Sequence, residues 1–173
     1  MEKSSFVLKL IRIVLILGLI GLFVTLINIL WVFFGHNLNW EMARKFYSSI
    51  DFTKIWKNDE NAFNVISLIE IVTVILKIYI FLNVLKVFKN LNLTEPFNQK
   101  INDIIRKIIY FSISIGILGV LIKVYIELFV ANDLLLSTQI GNSEYLWIGA
   151  LLFILNKIFI KGYELQSEND LTI

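Results

Sequence analysis

The chain has 173 residues, of which 57% are hydrophobic and only 17% charged, with a formal net charge of +2, a single proline and no cysteine; its mean hydropathy is +0.75. Soluble domains run nearer about 45–50% apolar with about 25% charged, so this composition points to an integral membrane protein. It excludes a disordered chain, a disulfide-stapled secreted domain and a thiolate metal site. No dense Lys/Arg cluster stands on a polar domain, so direct nucleic-acid binding is not expected.

Residues 13–34 carry no charge, and about 20 apolar residues suffice to cross a bilayer. The first predicted span is therefore about 10–34. Its basic start (Lys3, Lys9, Arg12) would also suit a signal peptide. The apolar run, however, exceeds the usual length of about 7–15 residues and ends at Trp31, Phe33, Phe34 and His36 without a small-residue cleavage pattern. A retained span is the better fit.

The loop that follows, roughly 36–61, is too short for an independent domain. Trp40, Ala43, Tyr47 and Ile50 recur there at three- and four-residue steps, opposite Arg44 and Lys45. That pattern suits a short helix lying on the membrane surface; an irregular loop anchored by Trp40 and Trp56 fits equally well. A second span is predicted at about 62–88. After it comes the only proline, in Leu93-Thr94-Glu95-Pro96-Phe97-Asn98, where Thr94 or Asn98 could cap a helix and Pro96 suits a helix start. Ile101, Ile104, Ile105 and Ile108 then form an apolar stripe against Lys100, Asp103, Arg106 and Lys107. A short interfacial helix leading into a third span at about 108–131 is expected. A turn over 132–144, a fourth span at about 145–163 and a polar tail at 164–173, with Glu164, Glu168 and Asp170, complete a single four-span domain.

Orientation follows from the placement of positive charge. With the N-terminus inside, ten cations lie on the cytoplasmic side: Lys3, Lys9, Arg12, Lys86, Lys89, Lys100, Arg106, Lys107, Lys157 and Lys161. Only Arg44, Lys45, Lys54 and Lys57 lie outside. Both termini are therefore expected in the cytoplasm, with Trp31 and Trp147 at the outer membrane interface.

Four ionisable residues fall at membrane depth, where each costs at least about 2–3 kcal/mol unless partnered or wet: Glu70, Lys77, Lys123 and Glu127. In the second span Ser67, Glu70, Thr73 and Lys77 share one helical face, which should look into the bundle. In the third, Ser112, Gly116, Gly119, Lys123 and Glu127 do the same, and the small residues there allow another helix to approach closely. Glu70 and Lys123 each lie eight residues, about 12 Å, from the outer ends of their antiparallel spans. They are predicted to pair, with Glu127 as a second acceptor one turn from Lys123. For the deeper Lys77, the candidate partners are Glu70, Asn156, Tyr110 and Ser114. Such a charge network can fix helix register, line a solute, ion or proton pathway, or form a ligand-sensing site.

Catalysis has little to work with. His36 is the single histidine and stands at a predicted membrane boundary, without the partners that a zinc site or a Ser-His-Asp relay needs. No HExxH, glycine-rich phosphate loop or cysteine pair is present, and Gly18 with Gly21 suits close helix packing. Neither a metal nor a cofactor is expected.

The stretch Glu95-Pro96-Phe97-Asn98 leading into Ile101-Asn102-Asp103-Ile104-Ile105-Arg106-Lys107-Ile108, together with the ending Gly162-Tyr163-Glu164-Leu165-Gln166-Ser167-Glu168-Asn169-Asp170-Leu171-Thr172-Ile173, resembles the bacterial family catalogued as domain of unknown function 2975. The resemblance covers nearly the whole chain. It implies a small four-span protein of the bacterial inner membrane, of a kind often encoded beside a small helix-turn-helix regulator, and it supplies no established activity. It also draws together two cytoplasmic motifs, the basic helix at 98–107 after Pro96 and Phe97 and the acidic tail at 164–173. These could dock, Arg106 or Lys107 on Glu164 or Glu168, and present a surface to a partner protein; a solvated, undocked tail is the alternative. The expectation is thus an all-α, four-helix, multi-pass membrane protein without enzymatic activity, possessing a regulatory role toward a cytoplasmic partner. A small transporter or channel subunit using Glu70, Lys77, Lys123 and Glu127 is the competing function.

Overall fold

A computed structural model describes residues 2–35, 59–90, 99–130 and 142–170, without the side chains of residues 2–6, 166, 167, 169 and 170. Several expectations lie outside these residues: His36, the surface helix or anchored loop around Trp40, Tyr47 and Trp56, the capping segment Thr94 to Asn98 with Pro96 and Phe97, and the side chain of Asp170. The described residues form four helices, α1 (Glu2–Gly35), α2 (Glu60–Asn90), α3 (Gln99–Phe129) and α4 (Glu144–Asp170), with no strand among them. All four are long and apolar enough to cross a membrane.

Each helix outruns its predicted span. A 31-residue helix such as α2 or α3 measures about 46 Å, against about 30 Å of hydrocarbon, so its polar ends project beyond the apolar layer or it tilts. The amphipathic stretch expected as a short interfacial helix leading into the third span is continuous with it, forming the first turns of α3. Ile101, Ile104 and Ile108 are buried there, while Lys100, Arg106 and Lys107 are exposed.

Local chemistry explains where the helices begin. Asp59 caps α2: its Oδ1 accepts from the backbone N–H of Asn61 at 2.9 Å and of Ala62 at 3.1 Å, satisfying two donors that a helix start leaves open. Glu60 in the first turn suits the positive end of the helix dipole. At the start of α4, Tyr145 N–H donates to Asn142 O and Leu146 N–H to Ser143 O, both at 3.0 Å. Polar side chains within the spans turn back on their own helices, Thr25 Oγ1 donating to Gly21 O and Asn83 Nδ2 to Tyr79 O, so neither is left unsatisfied in an apolar setting.

The extensive interfaces join helices adjacent in sequence: α1 with α2, α2 with α3, and α3 with α4. One apolar cluster, Val32, Ala62, Phe63, Ile66, Ile122 and Ile126, ties the first three helices together at the end that carries Trp31. A second, Ile29, Val74 and Ile78 with Leu22 and Leu26 around them, holds α1 on α2. Further along, Tyr79 of α2 stacks on Phe111 of α3 with ring centroids 5.6 Å apart. The outward faces are large and apolar, with Val14, Ile27 and Phe34 of α1 and Trp147, Leu151 and Ile158 of α4 more than half exposed. Lipid is the solvent for such surfaces. Trp31 and Trp147 are exposed at the same end of the molecule, as an interfacial aromatic belt requires.

Candidate functional site

The predicted polar face of α2 does look inward. Ser67 and Thr73 are 1% exposed and Glu70 7%, while Lys77 is half-buried. On α3 the small-residue stripe is also a packing surface, and its partner is the start of α4. A Cβ on Gly116 would lie 2.6 Å from the backbone nitrogen of Leu146, and one on Gly119 would lie 2.6 Å from that of Asn142 and 2.7 Å from that of Ser143. Only glycine lets the two backbones come this close. Gly149 repeats the arrangement from α4, where an added Cβ would meet Ile113 of α3 at 2.7 Å.

This seating brings both span lysines onto the segment that leads into α4. Lys77 Nζ donates to Asn142 Oδ1 and stands 5.3 Å from the centroid of the Tyr145 ring, within range of a cation–π attraction. Lys123 Nζ donates to Ser143 Oγ at 3.1 Å. The carboxylates whose charges act on Lys77 are Glu70, two turns away on its own helix, and Glu144, the first residue of α4. Two ammonium groups therefore meet the N-terminus of a helix, where the dipole opposes positive charge. Glu144 and Glu70 offset that cost, and the neutral acceptors Asn142 and Ser143 complete a latch between α2, α3 and α4.

The expected Glu70–Lys123 pair is not formed. Their depths match, but their azimuths do not. Ile122 and Ile126 form the face of α3 that meets α2, whereas Gly116, Gly119 and, in phase with them, Lys123 lie about a quarter-turn round the helix, facing α4. Nor is Glu127 the second acceptor for Lys123: it shares the stripe but lies past the start of α4 and is exposed. Among the partners considered for Lys77, Tyr110 is 63% exposed and turned away. Ser114 is exposed too, and buried Asn156 stands about 21 Å further along α4 than Asn142. The sequence alone marks Asn142 and Ser143 as turn residues and Tyr145 as the start of a span, and gives none of the three a role toward the lysines. Ser143 followed by Glu144 ahead of an apolar run is a helix-start signal that would have placed the beginning of α4, though not its contact with two lysines.

At the opposite end, Arg106 pairs with Asp103 and Lys161 with Glu164, both at 3.0 Å and both three residues apart on a single exposed helix face. Arg106 and Glu164 thus each have a partner on their own helix.

Residues 13–173 match the family described as a protein of unknown function (DUF2975). The chain belongs to this family. Neither the curated proteins nor the solved structures include a match to it. This DUF2975 protein has four helices long and apolar enough to cross a membrane.

Proposed function

We propose that this DUF2975 protein is a non-enzymatic, regulatory membrane protein of the bacterial inner membrane, with both termini in the cytoplasm, that relays a state of its membrane-embedded latch to a cytoplasmic partner through α4. One observation carries this reading. Asn142 and Ser143, the two residues leading into α4, hold Lys77 and Lys123, and the helix that follows runs unbroken for 27 residues through the acidic segment containing Glu164 and Glu168. A helix gripped at one end and exposed at the other transmits a shift or rotation as a rigid rod. Lysines tied to protein acceptors suit a two-position latch better than a wet pathway. The basic start of α3, with Arg106 and Lys107, and the tail with Glu164, Glu168 and Asp170 form the partner surface, for which a helix-turn-helix regulator is the proposed occupant. For the tail to dock on α3, Arg106 and Glu164 would have to exchange their present intrahelical partners.

The absence of cysteine makes single introduced cysteines clean reporters. Ser167→Cys should be labelled only from the cytoplasmic side and Ser49→Cys only from the outside. Deleting 164–173 should leave insertion intact and abolish partner crosslinking in native membranes, and Lys77→Met should change the crosslinking pattern. Unchanged capture in both variants would refute the relay. One observation favours the transport alternative: the buried hydroxyls of Ser67 and Ser112 have no hydrogen-bond partner among the described residues and could serve a passing solute or ion. Solute or proton flux in proteoliposomes that is lost on Glu70→Gln would support it.

A further inference from the structure

The seam between α2 and α3, on the flank where Tyr79 stacks on Phe111, carries a second feature that the latch does not use. The ring stack sets these two helix faces side by side. Lys86 follows Tyr79 by seven residues, and Lys107 and Lys100 precede Phe111 by four and eleven. Steps of four, seven and eleven return to nearly the same helix face. Because the helices are antiparallel, all three steps lead the same way along the molecule, placing the lysines about 6–17 Å beyond the stack. All three are exposed. Asp103, the carboxylate lying between Lys100 and Lys107 along α3, is engaged by Arg106. Among the described residues, none of the three lysines has an ion-pair partner, so the flank presents positive charge.

In the other direction from the stack, Ile75, Val72 and Leu68 continue the Tyr79 stripe of α2 at steps of four, three and four residues, and all four are exposed.

We infer that this flank is a binding site for an acidic phospholipid. The phosphate of the headgroup is held by Lys86, Lys100 and Lys107, the aromatic stack stands at the level where headgroup meets acyl chain, and the chain lies along Tyr79, Ile75, Val72 and Leu68. Charge complementarity selects the occupant. Three cations at the rim of an apolar strip match an anionic head on an apolar tail, whereas a zwitterionic lipid would bring a choline cation into the cluster, and a soluble phosphate would leave the strip unused.

The test uses the full chain in mixed micelles of phosphatidylglycerol and phosphatidylcholine, with bound lipid counted by native mass spectrometry. The wild type should retain phosphatidylglycerol selectively. The triple variant Lys86→Gln, Lys100→Gln, Lys107→Gln should lose about fivefold in apparent affinity per lysine, on the order of 100-fold in all. The control triple Lys9→Gln, Lys157→Gln, Lys161→Gln removes the same charge from exposed positions outside the seam and should lose less than about threefold. Equal loss in both triples would reduce the effect to net charge and overturn the site, as would retention in the seam triple or displacement of the lipid by inorganic phosphate. If the seam triple does not fold by circular dichroism, the three single variants, each at about fivefold, decide the question.

Discussion

Replacing Gly119 by alanine is the sharpest perturbation of the latch. The added Cβ would meet the backbone of Asn142 and Ser143 at 2.6–2.7 Å, where ordinary contact begins at 3.4 Å, so the start of α4 must retreat by roughly 0.8 Å. That retreat stretches the Lys123–Ser143 bond from 3.1 Å beyond hydrogen-bonding range and disturbs the Lys77–Asn142 bond with it. Overpacking costs about 1–3 kcal/mol, and two weakened interhelical bonds add about 1 kcal/mol each. Alanine's better helix propensity returns about 1 kcal/mol. The expected net destabilisation is therefore about 2–4 kcal/mol, measured by steric trapping or by denaturant titration in bicelles. Gly21→Ala serves as the control, because a Cβ there meets nothing within 4 Å; it should be neutral or slightly stabilising. A Gly119→Ala protein as stable as Gly21→Ala would show that α4 is not seated on the glycine stripe.

Further expectations concern single contacts. In a double-mutant cycle, Lys77→Met and Asn142→Leu should couple by about 1 kcal/mol, while Glu70→Gln and Lys123→Met should be additive within about 0.5 kcal/mol; the opposite pattern would restore the Glu70–Lys123 pair. Asp59→Ala removes the cap of α2 and should cost about 1 kcal/mol in the same stability assay, with Asp59→Asn retaining most of it. Arg106→Ala should change stability by no more than about 0.5 kcal/mol, since the pair it breaks is solvent-facing and intrahelical.

The number of helices and the inward polar face of α2 were legible because both follow from periodicity and length, which a sequence carries explicitly. The close approach at Gly116 and Gly119 was legible for the same reason, as a spacing of small residues. What was hidden was which neighbour each face meets. Glu70 and Lys123 sit at matched depth, and depth can be counted along a chain. Azimuth about α3 depends on how α2 and α4 share its surface, and that is fixed by where the isoleucines and the glycines divide it. The reach of a lysine adds a second ambiguity: Lys77 has four methylenes, so its ammonium can be satisfied well away from its own Cα, here on a residue 65 positions further along the chain.

That the extensive interfaces join sequence neighbours bears on how the protein is made. Each helix finds its main partner in the one inserted just before it, so no interface has to wait for a distant segment to close a ring. Assembly can proceed as two successive hairpins with a joining seam, each helix docking while the next is still being synthesised. The last step of such a sequence is the landing of α4 on Gly116 and Gly119. Until then Lys77 and Lys123 lack the acceptors that later hold them, which makes the arrival of α4 the event that completes the membrane interior.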